Sequence, residues 1–204
     1  MRDRGGGGDH AGAEECLKEA LRLAEAQPQI ATLCWALYWT SFGSLIGRDF
    51  ERVGRLADRA VALATEHGVG IWATAALLSR GATLVIVDPG RAVTLMGEGL
   101  VKLETLGSRY YFHPTYLCFQ AEALLHLGRV AEARGAIDRA LAMTASTGIT
   151  WWDAELHRIR ANVIRAEGGG NAAVREALTR AVAIAEQQGS ETFRRRAAAD
   201  MDAA

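Results

Sequence analysis

A recurring pattern of glycines and small residues runs along the whole chain and limits what the chain can fold into. In each copy a turn glycine is followed five or six residues later by a small residue, and then by small or apolar residues three or four positions apart. The clearest copy consists of Leu117, Ala121, Leu124, Gly128, Ala133, Ile137 and Ala140. This spacing predicts two amphipathic helices that meet at Gly128, with small residues where the helices cross closely.

Three further copies follow the same plan. The first consists of Leu37, Ser41, Ser44, Gly47, Val53, Ala57 and Ala60. The second consists of Leu77, Gly81, Leu84, the turn Asp88-Pro89-Gly90, Ala92, Met96 and Gly99. The last consists of Ala161, Ile164, Gly168, Val174, Leu178 and Ala181. In the second copy Asp-Pro-Gly predicts a sharp turn, because a helix-stopping proline is followed by a glycine that can take a positive φ.

The repeat length can be read from the turn glycines. Gly47 and Gly128 are 81 residues apart, which is two units, and Gly128 and Gly168 are 40 residues apart, which is one. The spacing resembles a tetratricopeptide repeat, although the unit is longer than the usual length of about 34 residues. The resemblance implies an all-α fold, a right-handed superhelix of antiparallel helix pairs.

Composition supports a helical fold. Alanine is the commonest residue, and only three prolines, Pro28, Pro89 and Pro114, interrupt the chain. The single candidate strand, residues 83–87, fits one buried helical turn equally well. We therefore predict an all-α protein.

The repeat pattern divides the chain into segments. The predicted boundaries are a flexible leader 1–8, a repeat domain 9–190 with a half repeat 9–28 and full repeats 30–68, 71–107, 114–148 and 151–189, and a C-terminal capping helix 191–204. The cap is predicted to have a solvated face that carries the charged residues Arg194, Arg195, Arg196, Asp200 and Asp202. The half repeat matches only the turn and second helix of a unit, so its apolar side around Ala13, Leu17 and Ala20 lacks the helix that should cover it. We expect self-association or a bound partner at this side. The chain is then expected to be a fragment of a longer repeat array or an array that is completed by association.

Charge and apolar patterning disfavour several function classes. Lys and Arg total 23 and Asp and Glu total 24, so the net charge of −1 argues against direct binding of nucleic acid. Uninterrupted apolar stretches such as residues 84–87 are far shorter than the roughly 20 residues of a membrane span. The N-terminus has no apolar signal region, so we expect a cytoplasmic protein without membrane contact.

The three cysteines point the same way. Cys16, Cys34 and Cys118 are widely spaced and form no C-x-x-C pair. We predict small buried apolar residues in a reducing compartment rather than zinc ligands or a redox dithiol.

Residues 151–160 read Trp-Trp-Asp-Ala-Glu-Leu-His-Arg-Ile-Arg, and a glycine-rich turn and a second helix follow. The segment resembles the C-terminal tetratricopeptide-like region of large bacterial regulators, which join a nucleotidyl cyclase or a LuxR-type DNA-binding domain to a predicted ATPase. The matching positions are Trp152, Glu155, Leu156, His157 and Arg158. The resemblance implies a regulatory scaffold. The sequence contains neither a G-x-x-x-x-G-K-[ST] phosphate loop nor a recognisable cyclase metal site.

Two carboxylate–histidine pairs are the candidates for chemistry. Asp153 and His157 are four residues apart on one predicted helix face, and Glu122 and His126 repeat the spacing. A hydrolase would need such a pair, but so would an ordinary helix-stabilising contact, and no nucleophile accompanies either. The sequence contains no H-x-x-x-H pair, so we predict no metal, no cofactor and no catalytic residue.

The tetratricopeptide resemblance also implies a concave groove lined by the first helix of each pair. Its first two repeats contribute Trp35, Tyr38, Phe42, Leu45, Ala75, Leu78, Ala82 and Val85, and its last two contribute Thr115, Cys118, Glu122, Leu125, Glu155, Arg158, Asn162 and Arg165. The groove would be apolar early and polar late, although aromatic clusters of this kind are also typical of cores.

These patterns predict a non-enzymatic scaffold that binds a protein or peptide within a bacterial signalling regulator. The alternative is a sensor in which the aromatic floor between Trp35 and Phe42 binds an apolar small-molecule effector.

Overall fold

The computed structural model describes residues 8–107 and 111–202. Within them the chain forms ten helices and no strand, which confirms the all-α prediction. The helices are α1 (Gly8–Glu25), α2 (Ile30–Gly47), α3 (Phe50–Glu66), α4 (Gly70–Ala82), α5 (Pro89–Thr105), α6 (His113–His126), α7 (Val130–Thr147), α8 (Asp153–Ala166), α9 (Asn171–Gln187) and α10 (Glu191–Asp202). Residues 1–7 of the predicted leader and the last two residues of the predicted cap lie outside the described residues.

The Asp-Pro-Gly sequence starts a helix rather than forming the turn. The carboxylate of Asp88 accepts a hydrogen bond from the backbone N–H of Arg91 at 3.1 Å, and Pro89 is the first residue of α5. Proline is favoured there because its missing N–H would have no helical partner. The turn itself comprises residues 83–87, which also removes the candidate strand.

In three of the four predicted repeats the chain reverses between the paired helices through a residue with a positive φ. Gly128 and Gly168 take this conformation, with φ of 71° and 77°. In the first full repeat Gly47 stays in α2 and Arg48 adopts the left-handed conformation, with φ of 57°. The predicted turn at Gly47 is therefore displaced by one residue.

The chain divides into two compact units, Met1–Thr83 and Leu84–Ala204. The boundary lies between the two helices of the second predicted repeat, 71–107. In unit 1, α3 packs against both α2 and α4, α2 packs against α4, and α1 packs on α2. The core of this unit includes Leu37, Ala60 and Ala76, one from each of the three successive helices.

Unit 2 repeats this arrangement from α5 to α10. Each helix from α6 onward packs on the next one, and α8 also packs on both α6 and α10. Ala161, Val174, Ala177 and Leu178 form one core cluster, against which Met201 of α10 packs. Small residues at these crossings let the helix backbones approach closely.

One of the described helices, α2, is long and apolar enough to span a membrane by length and composition alone, although polar residues interrupt its apolar stretches. The same composition suits a core helix of a folded domain, and 44% of its residues are buried. The helix packs against α1, α3 and α4, which accounts for its apolar surface within unit 1.

The cysteines are only partly as predicted. Cys34 and Cys118 are buried, and burial raises the pKa of the Cys34 thiol. Cys16 is exposed on α1, whereas its neighbour Leu17 lies against α2. The prediction that all three are buried was therefore wrong for Cys16.

Candidate interaction surfaces

The aromatic cluster of α2 lies mostly in the core of unit 1. Tyr38 and Phe42 are fully buried, and the Trp72 ring of α4 lies 5.7 Å from that of Tyr38, centroid to centroid. Leu45 is buried as well. The interpretation of Tyr38 and Phe42 as groove residues was wrong, because the packing of α4 on α2 covers this face.

Trp35 differs from the other members of the cluster. Its side chain is 46% exposed, and its ring centroid lies 6.1 Å from that of the half-buried Trp39. Trp39 in turn contacts the rings of Tyr38 and Phe42, both at 5.7 Å. A chain of ring contacts therefore supports the exposed indole from the core.

Most of the positions predicted to line the middle of the groove are buried. The structure buries Ala75, Leu78, Ala82, Val85, Thr115 and Cys118. On α6, Glu122 and Leu125 are half-buried. Five of the six buried positions belong to packed helix faces, and Val85 lies in the turn 83–87, so the sequence register located buried contacts there rather than an open surface.

The four polar residues predicted on α8 do come together, with α10 packed over them. Glu155 is 2% exposed and Arg158 is 6% exposed. Glu155 accepts hydrogen bonds from Arg158 and from Arg196 of α10. The Nη1 of Arg158 donates to Oδ2 of Asp200 at 2.8 Å.

Asn162 and Arg165 extend this cluster towards solvent. The Nη1 of Arg165 donates to Oδ1 of Asn162 at 2.8 Å, and its Nη2 donates to the backbone oxygen of Asp200 at 3.4 Å. The two carboxylates of Glu155 and Asp200 balance the guanidinium groups of Arg158 and Arg196. Such pairing is what allows charges to be buried at all.

An aromatic contact lies beside the charged cluster. The Phe193 ring of α10 lies 5.1 Å from the Trp152 ring in an edge-on arrangement, and Trp152 also contacts Phe119 of α6 at 5.9 Å. The guanidinium carbon of Arg196 lies 5.8 Å from the Phe193 centroid. Trp152, just before α8, therefore connects α6 with α10.

Sequence reasoning missed the inward direction of Arg196 and Asp200. It assigned both to the solvated face of the cap. The signal was present in the spacing, because Phe193, Ala197 and Met201 recur every four residues and define a buried stripe beside Arg196 and Asp200.

His157 lies on another side of α8, in an open cleft of about 750 Å³ between α8 and α9 that Arg160, Glu176 and Arg180 also line. Burial, together with the charges of Arg160 and Arg180, lowers the pKa of His157 to about 4. The imidazole is therefore neutral at neutral pH.

The neighbouring Asp153 is affected in the opposite sense. Burial raises the pKa of its carboxyl group, and a hydrogen bond from Thr144 and the charge of Arg180 partly oppose this shift. Over the described residues, no three His, Cys, Asp or Glu side chains are grouped closely enough to hold a metal ion.

The N-terminal half repeat, which forms α1, is held to the other helices of unit 1 by packing and by ion pairs. A Cβ atom added to Gly43 would lie 2.6 Å from Cδ1 of Leu17, so Leu17 lies directly against α2. Glu14 pairs with Arg52 of α3 at 2.8 Å, and α1 forms a second such pair through Glu25. The prediction that Leu17 lies on an uncovered side was wrong, and the side chain of Ala13 lies outside the described residues.

Comparison with known proteins gives one informative relative. No family model matches the chain. The chain is similar to an uncharacterized protein of Rhizobium meliloti (strain 1021), R02095, with 35% identity over 153 residues. The aligned region covers 73% of this chain and 14% of the relative, so the chain spans about one seventh of that protein's length.

Proposed function

We propose that this chain is a non-catalytic protein–protein interaction scaffold, a tetratricopeptide-like right-handed array within a cytoplasmic bacterial signal-transduction or transcriptional regulator. The observation that carries the proposal is the exposed indole of Trp35 on a helix that has no charged residue over 18 positions. Tryptophan is the residue type most enriched among those that dominate binding energy at protein interfaces.

The setting of Trp35 supports this role. A side chain held by Trp39 and the buried rings behind it loses little conformational freedom on binding, so less of the contact energy is lost to ordering. Leu23 of α1 is 50% exposed and belongs to the same unit. A partner helix or extended peptide with an apolar face is the expected ligand.

The regulator assignment comes from the resemblance of residues 151–160 to bacterial multidomain regulators. The relative from Rhizobium meliloti supports it, because the similar region is a small part of a much longer protein. The catalytic or DNA-binding activity of such a regulator would belong to its other domains.

The test compares the parent chain with Trp35→Ala as bait for proteins from the source cells, followed by binding measurements with the purified captured protein. We expect Trp35→Ala to weaken binding at least tenfold without lowering the melting temperature. Val101→Ala removes another exposed apolar side chain, 63% exposed in unit 2, and should bind like the parent. Equal binding by the parent and Trp35→Ala would contradict the proposal.

Small-molecule sensing is the second candidate, and the cleft beside His157 favours it. The aromatic floor predicted for an effector is closed by packing, whereas this cleft is open and has two arginines that suit an anionic metabolite. A thermal-shift screen of anionic metabolites tests it. A ligand that raises the melting temperature of the parent, but not that of Arg180→Ala, would establish a sensor.

A further inference from the structure

The C-terminal helix α10 is held to unit 2 by a short series of specific contacts. Only two of its 12 residues, Phe193 and Ala197, are fully buried. Among the described elements it packs only against α8 and α9. Its remaining arginines, Arg194 and Arg195, form hydrogen bonds with Glu191 of the same helix.

Three side chains of α10 match three features of the surface below it. Phe193 meets the Trp152 ring, Arg196 donates to Glu155, and Asp200 accepts from Arg158. These α10 residues lie at positions i, i+3 and i+7, which place them on one face of a helix. We call the complementary surface, formed by Trp152, Glu155, Arg158 and Arg165, the α10 seat.

The seat has internal contacts that do not depend on α10. Glu155 and Arg158 pair with each other within α8, and Phe119 of α6 supports Trp152. The seat therefore presents an aromatic ring, a carboxylate and a guanidinium in a fixed order. The ligand that complements this order is a helix with an aromatic residue, an arginine and an aspartate in the matching order.

We propose that the α10 seat is a docking site for a partner helix that carries an aromatic residue, arginine and aspartate at i, i+3 and i+7, and that α10 occupies this site within the chain until the partner displaces it. The inference rests on the proposed interaction function and names the kind of partner that unit 2 takes. The partner must supply polar groups to Glu155 and Arg158, because an apolar helix would bury this ion pair without the hydrogen bonds that Arg196 and Asp200 now provide.

The connection to α9 suits displacement. Residues 188–190, among them Gly189 with φ of 66°, join the two helices, so α10 stays tethered to α9 when it leaves the seat. A segment tethered this closely competes at an effective concentration in the millimolar range, which an external helix must overcome. Weakening α10 while leaving the seat intact should therefore reveal the site.

The experiment uses the full chain with Arg196→Ala and Asp200→Ala, both in α10, and a labelled peptide of residues 190–202 as the probe. Fluorescence anisotropy should show that this variant binds the peptide at least tenfold more tightly than the parent chain does. The matched control, Arg195→Ala with Asp202→Ala, changes the same residue types at exposed positions of α10 and should bind like the parent. A peptide with Phe193→Ala and Arg196→Ala should bind neither chain.

Circular dichroism and hydrogen exchange complete the test. A variant that keeps its remaining helices but binds the peptide no more tightly than the parent would overturn the inference. If the variant instead unfolds as a whole, hydrogen exchange of the parent chain provides the test. Amides of α10 that exchange faster than those of α8 and α9 would support a displaceable helix. Equal exchange rates would exclude one. None of these measurements involves Trp35, so a failure here is distinguishable from a failure of the proposed function in unit 1.

Discussion

The helices α2 and α8 occupy corresponding places in their repeats, as the first helix of a pair, yet their buried faces are chemically opposite. α2 has no charged side chain in 18 residues, and its buried hydroxyl groups bond to backbone oxygens, as Thr40 does to Ala36 at 2.8 Å. α8 has five charged residues in 14 positions, and two of them, Glu155 and Arg158, are buried. A repeat framework built on small residues at helix crossings thus accepts either an apolar or an ionic face between successive first helices.

The difference predicts different responses to mutation. An apolar face loses stability in proportion to the atoms removed, because each contact is small and many contribute. An ionic face loses much of its stability when a single partner is removed, because the remaining charges stay buried and unpaired. The following experiments test this contrast, from the largest expected effect to the smallest.

Removing the central carboxylate of the ionic face should have the largest effect. Glu155→Ala leaves Arg158 and Arg196 without their shared partner and should lower the free energy of unfolding by about 3 to 5 kcal/mol. Denaturant titration followed by circular dichroism measures it. Glu132→Ala breaks an exposed ion pair with Arg129 and should leave the unfolding midpoint unchanged. Similar midpoints for the two variants would mean that burial of the charges does not matter.

Overpacking the helix crossings should affect the two units alike. Ala60 of α3 and Ala140 of α7 are fully buried at corresponding repeat positions, and replacing either with Leu should cost about 1 to 3 kcal/mol. Thermal melts of both variants check this. Ala62→Leu and Ala142→Leu place the same side chain at exposed positions of α3 and α7 and should melt like the parent. A large penalty in one unit only would show that the crossings are not equivalent.

The folding stability of unit 2 should depend on pH through the protonation of His157. Its pKa is lowered from 6.5 to about 4 in the folded chain, so between these values the unfolded chain binds more protons. Stability contributed by the neutral ring is complete above pH 6.5 and is lost as the pH falls towards 4. Because the ring is partly exposed, we expect about 1 to 2 kcal/mol.

The matched variant for this effect is His157→Gln. It should flatten the stability profile between pH 4 and 6.5, measured by urea titration at several pH values. Asp153, whose pKa is raised, contributes in the opposite sense because its neutral form is favoured in the fold, so the comparison with the parent isolates the histidine. His126→Gln, at the exposed end of α6, serves as the control. An unchanged slope in His157→Gln would contradict the burial argument.

The smallest effect concerns how α1 packs on α2. Gly43→Ala brings a methyl group within 2.6 Å of Leu17 Cδ1, but it also gains up to about 1 kcal/mol of helix propensity. The two terms nearly cancel, so the single variant should change stability by less than about 1 kcal/mol. In a Leu17→Ala background the clash disappears and Gly43→Ala should stabilise. Gly47→Ala meets no neighbour within 4 Å and should show no coupling to Leu17 in a double-mutant cycle.

Much of the secondary structure could be predicted from the sequence alone. Helix pairs, their approximate ends and the small crossing residues such as Ala121 and Ala140 follow from local periodicity, which acts over one or two turns of helix. Local rules failed at two of the connections between helices. Arg48 rather than Gly47 takes the left-handed turn, and Asp88 caps α5 where a turn was expected.

Tertiary structure decided which faces of these helices are open. Tyr38 and Trp35 are three residues apart on one apolar helix, and only the position of α4 buries one and leaves the other exposed. Likewise Arg196 and Asp200 look like solvated surface residues until α10 lies on α8 and meets the charges there. Periodicity along one helix identifies its apolar and polar sides, but burial depends on which neighbouring helix covers each side. That choice depends on contacts between residues distant in sequence, which no local pattern records.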